Sequence, residues 1–366
     1  MGHFDTQRPP PPPTFGPWSV DVDDARAALL ERGAVTQSAV HSETKERVQL
    51  AWVHWPDEAS PDEAAAIEAL REEIVALPQR SRELSHPRLA PILDTGFADG
   101  PYFAIASGPG LPLREVYKGA SRGRGVVEYE LRSWAKGDES YYRRSDGTTC
   151  VGPDHYATTV VEAPVHRRFA LRFIADAASA LSTLHEAGTC HGGLTLDRLF
   201  LKDGGALMVS HFGVERGERG RRLCGTGTAP LSVHGVSYAA PEELLDPASV
   251  SPEGDVFALG AILHELLTFT HLFRAKSQSA LVEQVLRSEV PAPSRVVLGM
   301  PPIIDDIVLQ ALARDPKMRF RGAGAMQRAL ALALADEPPC GADELSTLAA
   351  RAHRAQPGDG SRIAFW

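Results

Sequence analysis

The sequence predicts an α+β protein, with a small β-rich N-terminal part and a larger, mostly helical C-terminal part. Three observations carry this. Strand patterns cluster early: Val48, Leu50 and Trp52 alternate with Gln49, Ala51 and Val53, and Ile92–Phe97 and Tyr102–Ala106 flank the turn signal Asp99-Gly100-Pro101. Helical patterns dominate from Arg167 on, where Phe169, Leu171, Ile174, Ala178, Leu181 and Leu184 make one apolar face. Between the helices lies one further hairpin, Leu199–Leu201 and Ala206–Val209, closed by Asp203-Gly204-Gly205.

In chain order, Met1 to Trp18 contains the unbroken run Pro9 to Pro13 and reads as an extended, solvated arm. Residues 1–25 are therefore expected to be a disordered leader. Glu58 to Leu84 reads as a long helix with Ala65, Ile67, Leu70, Ile74 and Leu77 on one face, which Pro78 should kink or end. Residues 116–165 are longer than a typical connection. Val126–Leu131, Ser140–Arg144 and Tyr156–Val161 have strand character, and Asp146-Gly147 is a turn signal, so a β-rich insert is expected. Tyr, Arg and Trp134 are enriched there, and these residue types dominate binding hot spots, which makes the insert a candidate site for a protein partner, weighed against a merely tolerated insertion. Glu215 to Arg222 is a polar, glycine-rich loop, followed by Thr226 and Thr228 as candidate modification sites. Helices are expected in AILHELLT, from Gly322 to Ala335 and from Asp343 to Arg354, the last within a tail, 336–366, that ends Ile363-Ala364-Phe365-Trp366.

The bulk numbers exclude several classes. A hydrophobic fraction of 43% and a charged fraction of 23% are those of an ordinary globular protein. The net charge of −9 argues against nucleic acid as a general partner. No run is long and apolar enough to span a bilayer, and no signal-peptide pattern is present. Cys150, Cys190, Cys224 and Cys340 are scattered without a C-x-x-C pair, which suits reduced thiols and a cytoplasmic location.

The stretch Cys190 to Gly213, CHGGLTLDRLFLKDGGALMVSHFG, puts a polar segment at each end of the central hairpin. It resembles the catalytic and metal-binding loops of protein kinases, in the general style of bacterial serine/threonine kinases. The family's H-R-D-L-x-x-x-N falls on His191 to Arg198, and its D-F-G on His211, Phe212 and Gly213. Further on, Ala240-Pro241-Glu242 resembles A-P-E, Asp255-Val256-Phe257-Ala258-Leu259-Gly260 resembles D-V-W-S-L-G, and Asp315-Pro316-Lys317-Met318-Arg319 resembles D-P-x-x-R. The motifs come in family order and cover about residues 26 to 335. The resemblance implies a bilobal protein-kinase-like fold: an N-lobe at 26–106 and a C-lobe at 107–335 that carries the 116–165 insert.

The frame matches and the chemistry does not. The general-base aspartate falls on Gly193, the metal-binding asparagine on Arg198, and the metal-binding aspartate on His211. In the N-lobe, Gly33 is the one candidate glycine of the phosphate loop, Ala51 stands where the phosphate-binding lysine belongs, and Gln49 and Phe200 would roof and floor the adenine. Lys45 reads as a turn residue, and Glu72 or Glu73 would be the helix glutamate left without its lysine. The positions that would hold the large lobe together remain: His191, Phe212, Gly213, Glu242, Asp255 and Arg319. Of these, Asp255 would bind the backbone of the catalytic loop and Arg319 would pair Glu242.

Two readings follow. The first is a pseudokinase, a binding module or signalling scaffold for a protein partner engaged through the insert or the activation loop, with no cofactor. The second is an atypical enzyme that uses ATP and Mg²⁺ through displaced groups, with Asp197 or Asp203 on the metal and His211 as base. Cys190, His191 and His211 form a candidate metal set, weighed against His191 as a core histidine and Asp203 as a turn residue.

Overall fold

The computed structural model describes residues 15–20, 34–53, 55, 60–98, 100–106, 110–117, 132–136, 139–143, 149–152, 167–214, 233–246, 249–275, 277–297 and 299–355. Gly33, Glu215–Arg222, Thr226, Thr228, Ile363–Trp366 and the strand candidates at 126–131 and 156–161 lie outside them. The chain divides into two compact units. The small one draws on residues 1–83, 91–107 and 213–229, and the large one on 84–90, 108–212 and 230–366.

The small unit is an antiparallel sheet and a helix. Its strands are β1 (Trp18–Ser19), β2 (Ala34–His41), β3 (Arg47–Val53), β4 (Ile92–Phe97) and β5 (Pro101–Ala106), in the order β1-β2-β3-β5-β4. The β2–β3 turn is built by His41, whose Nδ1 accepts the N–H groups of Glu43 and Thr44 at 3.2 Å each. Lys45 sits in this turn at φ 60°, its Nζ donating to the Ser42 carbonyl. One face of β3 joins a core of Phe15, Trp18, Ala39, Val48, Leu50, Trp52, Tyr102 and Ala104. This corrects the reading of the leader as wholly solvated. Phe15 packs edge-on against Trp52 at 4.9 Å, and Trp18 Nε1 donates to Asp94 at 2.9 Å. Burying two aromatic rings favours docking of this short stretch over solvation. The polar/apolar alternation read in β3 also fails at its end, because Ala51 and Val53 are buried as well. β3 is a central strand, paired along both edges by β2 and β5, and side chains on both of its faces are buried.

Helix α1 spans Pro61–Glu83 and continues through Pro78. The helix does not end there, and the reason is visible. Proline has no N–H to give to the carbonyl four residues back, which is that of Ile74. The Thr95 hydroxyl of β4 donates to that carbonyl instead, at 3.1 Å. Thr95→Val should therefore cost about 1 kcal/mol in a urea unfolding titration. An unchanged midpoint would mean that water serves the carbonyl equally well.

The large unit is helical around a small sheet. After β6 (Gly110–Pro112) come three strands, β7 (Arg132–Lys136), β8 (Glu139–Arg143) and β9 (Thr149–Gly152), which form a sheet of their own. β8 covers the expected strand Ser140–Arg144 up to Arg143. Helix α2 (Arg167–Glu186) leads to β10 (Leu199–Lys202) and β11 (Leu207–Val209), and the sheet order is β11-β10-β6. The remaining helices are α3 (Val233–Val236), α4 (Pro241–Leu245), α5 (Pro252–Thr268), α6 (Gln278–Arg287), α7 (Pro293–Val296), α8 (Pro302–Ala311), α9 (Ala323–Ala335) and α10 (Ala342–Ala355).

α5 is the axis of this unit. Ser251 caps it by accepting the Gly254 N–H, Pro252 opens it, and every residue from Gly254 to Thr268 is buried. Gly260 lets α8 approach, since a Cβ there would lie 2.8 Å from the Ala311 Cβ. At the other side, α10 buries Leu345, Leu348, Ala349 and Ala352. It seals the β10–β11 turn, where Gly205 adopts φ 81° and leaves no space for a side chain beneath the Ala342 carbonyl. Ser346 donates to the Asp203 carbonyl at 2.6 Å, and His353 meets the Asp203 carboxylate at 2.9 Å.

Candidate functional site

The hairpin β10–β11 presents two polar segments of the large unit, His191–Arg198 before it and Ser210–Phe212 after it. Residues 86–90 clamp its second strand: Ala90 donates to the Val209 carbonyl at 2.8 Å, and Val209 to that of Arg88 at 2.7 Å.

Asp255, in the first turn of α5, holds the first segment by its backbone. Its two carboxylate oxygens accept the N–H groups of His191 and Gly192, each at 2.8 Å. Gly192 stands at φ 73°, a conformation that suits glycine. His185 Nε2 is the third contact on Asp255, at 2.9 Å. Because His185 Nδ1 accepts the Ala323 N–H at 3.0 Å, the ring proton is on Nε2 and points at the carboxylate. Asp255 is 1% exposed, so this is a buried anion met by three donors.

His191 is buried in the core. Its Nε2 donates to the Ser210 carbonyl at 2.9 Å, while its Nδ1 has no partner among the described residues. Burial drives the His191 ring down to about 4, against the pull of Asp255. Ser210 ties the two segments together. Its N–H and Oγ both reach the Arg198 carbonyl, at 2.9 and 3.2 Å, and its Oγ meets His211 Nδ1 at 2.6 Å.

His211 is buried at φ 68°, a left-handed conformation rare outside glycine. Its ring lies parallel to Phe200, with centroids 6.4 Å apart and planes at 7°. Burial first, then the Arg198 cation and the His191 ring, hold it well below the ordinary histidine range, so it is neutral. Arg198 ends a short 3₁₀ turn, Leu196–Arg198, and its Nη1 donates to the carbonyl of Gly193. The three positions 193, 198 and 211 are thus linked by one cation, with no carboxylate or amide side chain among them.

The nearby carboxylates are engaged. Arg114 Nε meets both oxygens of Asp197, at 2.8 and 2.9 Å, and Asp203 is held by His353 in the β10–β11 turn. Among the described residues no group of three or more His, Cys, Asp or Glu side chains is arranged to hold a metal ion, so Cys190, His191 and His211 do not form one.

In the small unit, Ala51 is buried opposite Thr36 and Phe103, and Gln49 is partly buried opposite Ser38 and Ile105. Glu72 is exposed on α1. Gly213 takes φ 84° and a Cβ there would press on Leu77 at 2.8 Å. In the large unit, Phe212 is buried, and Glu242 and Arg319 form a bidentate pair at 2.7 and 2.8 Å.

Sequence reasoning passed over His185, Ser210 and Arg114. Each acts through a fold contact with no local signature. Arg114 pairs Asp197 across 83 positions. It also faces the pair in which the Tyr238 hydroxyl donates to Glu265 at 2.5 Å.

The buried imidazoles make stability pH-dependent. His264 in α5 donates from Nε2 to the Pro291 carbonyl at 3.1 Å, and burial lowers its pKa to about 4. A folded pKa below the unfolded one means stability that is present above about pH 6.5 and lost as pH falls towards 4. Glu243 acts oppositely, because burial and then Asp255 push its carboxyl up to about 8, so its contribution is lost as pH rises towards 8. His264→Gln keeps a donor for Pro291 and removes one titrating imidazole. It should flatten the acid limb by about 1.4 kcal/mol per pH unit near pH 5, read from urea unfolding between pH 4 and 7. An unaltered slope would mean that the folded His264 ring takes up its proton over the same pH range as the unfolded one.

Residues 151–330 match the family model described as Protein kinase domain. The chain is 29% identical over 253 residues to the serine/threonine-protein kinase PknB of Mycolicibacterium smegmatis, covering 68% of this chain and 34% of that protein. It is 28% identical over 261 residues to PknB of Mycobacterium tuberculosis, covering 71% and 36%. To PknL of the same species it is 31% identical over 146 residues, covering 40% and 36%. The matched part is thus about a third of the length of these curated relatives. No helix among the described residues is long and apolar enough to cross a membrane. The α+β fold, with its β-sheet small unit and helical large unit, is consistent with a protein-kinase-like fold, and these matches show residues 151–330 to be similar to the protein kinase domain.

Proposed function

We propose that this chain is a pseudokinase: a protein-kinase-like fold that acts as a regulatory binding module or signalling scaffold without phosphoryl transfer. The observation that carries the reading is the Arg198 guanidinium donating to the Gly193 carbonyl beside the neutral, buried His211. Phosphoryl transfer in this superfamily depends on metal ions and on a carboxylate that orients the attacking hydroxyl. A permanent cation at 198, no side chain at 193 and an uncharged imidazole at 211 do not fit that chemistry. Asp197 and Asp203, the two candidates to replace it, are taken up by Arg114 and His353. Ala51 supplies no ammonium for phosphates.

The names of the relatives favour a second reading, an atypical serine/threonine kinase or a nucleotide-binding protein. A thermal-shift titration separates the two. A ligand bound at a hundred times its Kd stabilises the folded state by about 2.7 kcal/mol, which raises the melting temperature by roughly 3–4 °C in a chain of this size. The expected result is no shift at millimolar ATP, with or without magnesium. A magnesium-dependent rise, followed by transfer from labelled ATP that Asp197→Ala or Asp203→Ala abolishes, would establish the second reading.

A further inference from the structure

The stretch Phe15-Gly16-Pro17-Trp18 is a self-contained turn whose two aromatic ends enter the core on one face of the small-unit sheet. The Trp18 N–H closes it on the Phe15 carbonyl at 3.1 Å, and Gly16 takes φ 58°. Phe15 and Trp18 are buried, while Gly16 and Ser19 are exposed. Trp52 and Tyr102 lie edge-on to the Phe15 ring, at 4.9 and 5.8 Å, and His41 lies edge-on to Trp18 at 5.0 Å. Asp94 of β4 accepts the Trp18 indole N–H at 2.9 Å, while its neighbour Thr95 points to the other face and to α1. The backbone ties are short. β1 pairs β2 through Trp18 opposite His41 and Ser19 opposite Val40, and the Ser42 N–H donates to the Pro17 carbonyl at 2.8 Å. Trp52 Nε1 is buried without a partner among the described residues, so the stretch leaves one donor of this face unsatisfied.

We propose that this face is a docking site for a turn of a protein partner that carries an aromatic residue and a tryptophan three positions apart, of the Phe-Gly-Pro-Trp kind, and that residues 15–20 occupy it in cis as a displaceable strap. The strap shows the chemistry that the face selects: one ring packs on Trp52 and Tyr102, and an indole N–H three residues on reaches the Asp94 carboxylate. Glycine and proline preset the turn, so such a segment loses little conformational entropy on docking, and buried aromatic residues are the common anchors of protein interfaces. Tethering adds to the hold of the strap. Residues 21–33 join it to β2, and a tether of this length gives an effective concentration on the order of millimolar. A partner's turn therefore competes poorly until the strap is loosened, which makes the strap an autoinhibitory contact. A nucleic acid does not suit a face whose recognising group is the Asp94 carboxylate. The proposal rests on the reading of this chain as a binding module but not on the absence of phosphotransfer.

The test is fluorescence anisotropy of a labelled peptide of residues 12–22, titrated with the full chain in EDTA without ATP. Gly16→Val should dislodge the strap and leave the face intact, because a Cβ there lies 2.6 Å from the Tyr102 hydroxyl and a β-branched residue rarely adopts φ 58°. The peptide should bind the Gly16→Val chain about tenfold or more tightly than the wild-type chain. Adding Asp94→Leu to that chain, or replacing the peptide's phenylalanine or tryptophan with alanine, should weaken binding about tenfold or more. Phe15→Ala with Trp18→Ala loosens the strap independently, and thermal melts check that each variant folds. Hydrogen exchange of the wild-type chain needs no variant: the Ser42 amide, held by the strap, should exchange about tenfold or more faster than the amides of β3. Equal binding to the wild-type and Gly16→Val chains, undiminished binding of the alanine peptides, no binding to a folded loosened chain, or equal protection of Ser42 and β3 would each overturn the proposal. A dimer of the wild-type chain that Gly16→Val abolishes would put a second copy on the face and overturn its assignment to a partner. A nucleotide-dependent melting shift, by contrast, would overturn the pseudokinase reading alone.

Discussion

Replacing Arg319 with methionine is expected to lower the unfolding free energy by about 3–5 kcal/mol. The side chain is fully buried and makes five donor contacts: two to Glu242, and one each to the carbonyls of Ala313, Glu253 and Arg314. Its guanidinium also lies 5.0 Å from the Phe257 ring centroid. Removing it strands the Glu242 carboxylate and three carbonyls at once. The melting temperature should fall by about 4–6 °C. A double-mutant cycle with Glu242→Gln should show strong coupling, because the second substitution removes the carboxylate that the first leaves unpaired. Additive losses would mean that Arg319 acts through the carbonyls alone.

The second large effect is at Asp255. Asp255→Asn keeps the shape and replaces one acceptor oxygen with an NH₂ group that faces a backbone N–H. The amides of His191 and Gly192 and the Nε2–H of His185 then compete for one carbonyl oxygen. Hydrogen bonds to a buried charged group are worth about 1.5–3 kcal/mol each, so a loss of roughly 3 kcal/mol is expected in denaturant unfolding. Hydrogen exchange of the 191–192 amides should accelerate more than that of α5 itself. Equal acceleration throughout would place the role of Asp255 in α5 rather than in the loop.

Much of this was legible in the sequence because the relevant signals are local. The hairpin over 199–209 is bracketed by an Asp-Gly-Gly turn, and α2 shows its buried face as a 3.6-residue repeat. The helix that seals the fold was expected from Asp343 to Arg354 and spans Ala342–Ala355. What the sequence hid is long-range satisfaction of polar groups. Pro78 reads as a breaker because local rules assign it an unfilled carbonyl, and Thr95 fills that carbonyl from another element. Asp197 reads as a free carboxylate until Arg114 is brought beside it. Phe15 and Trp18 read as part of a proline-rich arm because single aromatic residues carry no period.

The placement of α10 bears on where this protein can be cut. The family match ends at residue 330, but the cooperative unit does not. Arg167, at the first residue of α2, pairs Glu337, and Arg168 pairs Glu344 at 2.6 Å, so the segment past the family boundary is stitched to the helix that opens the core. A fragment trimmed to residue 330 would uncover the β10–β11 turn, release both arginines and expose the sheet that α10 covers. Expression boundaries for this chain therefore belong beyond Ala355, and a trimmed fragment that aggregates would report the missing helix rather than a failure of the kinase-like core.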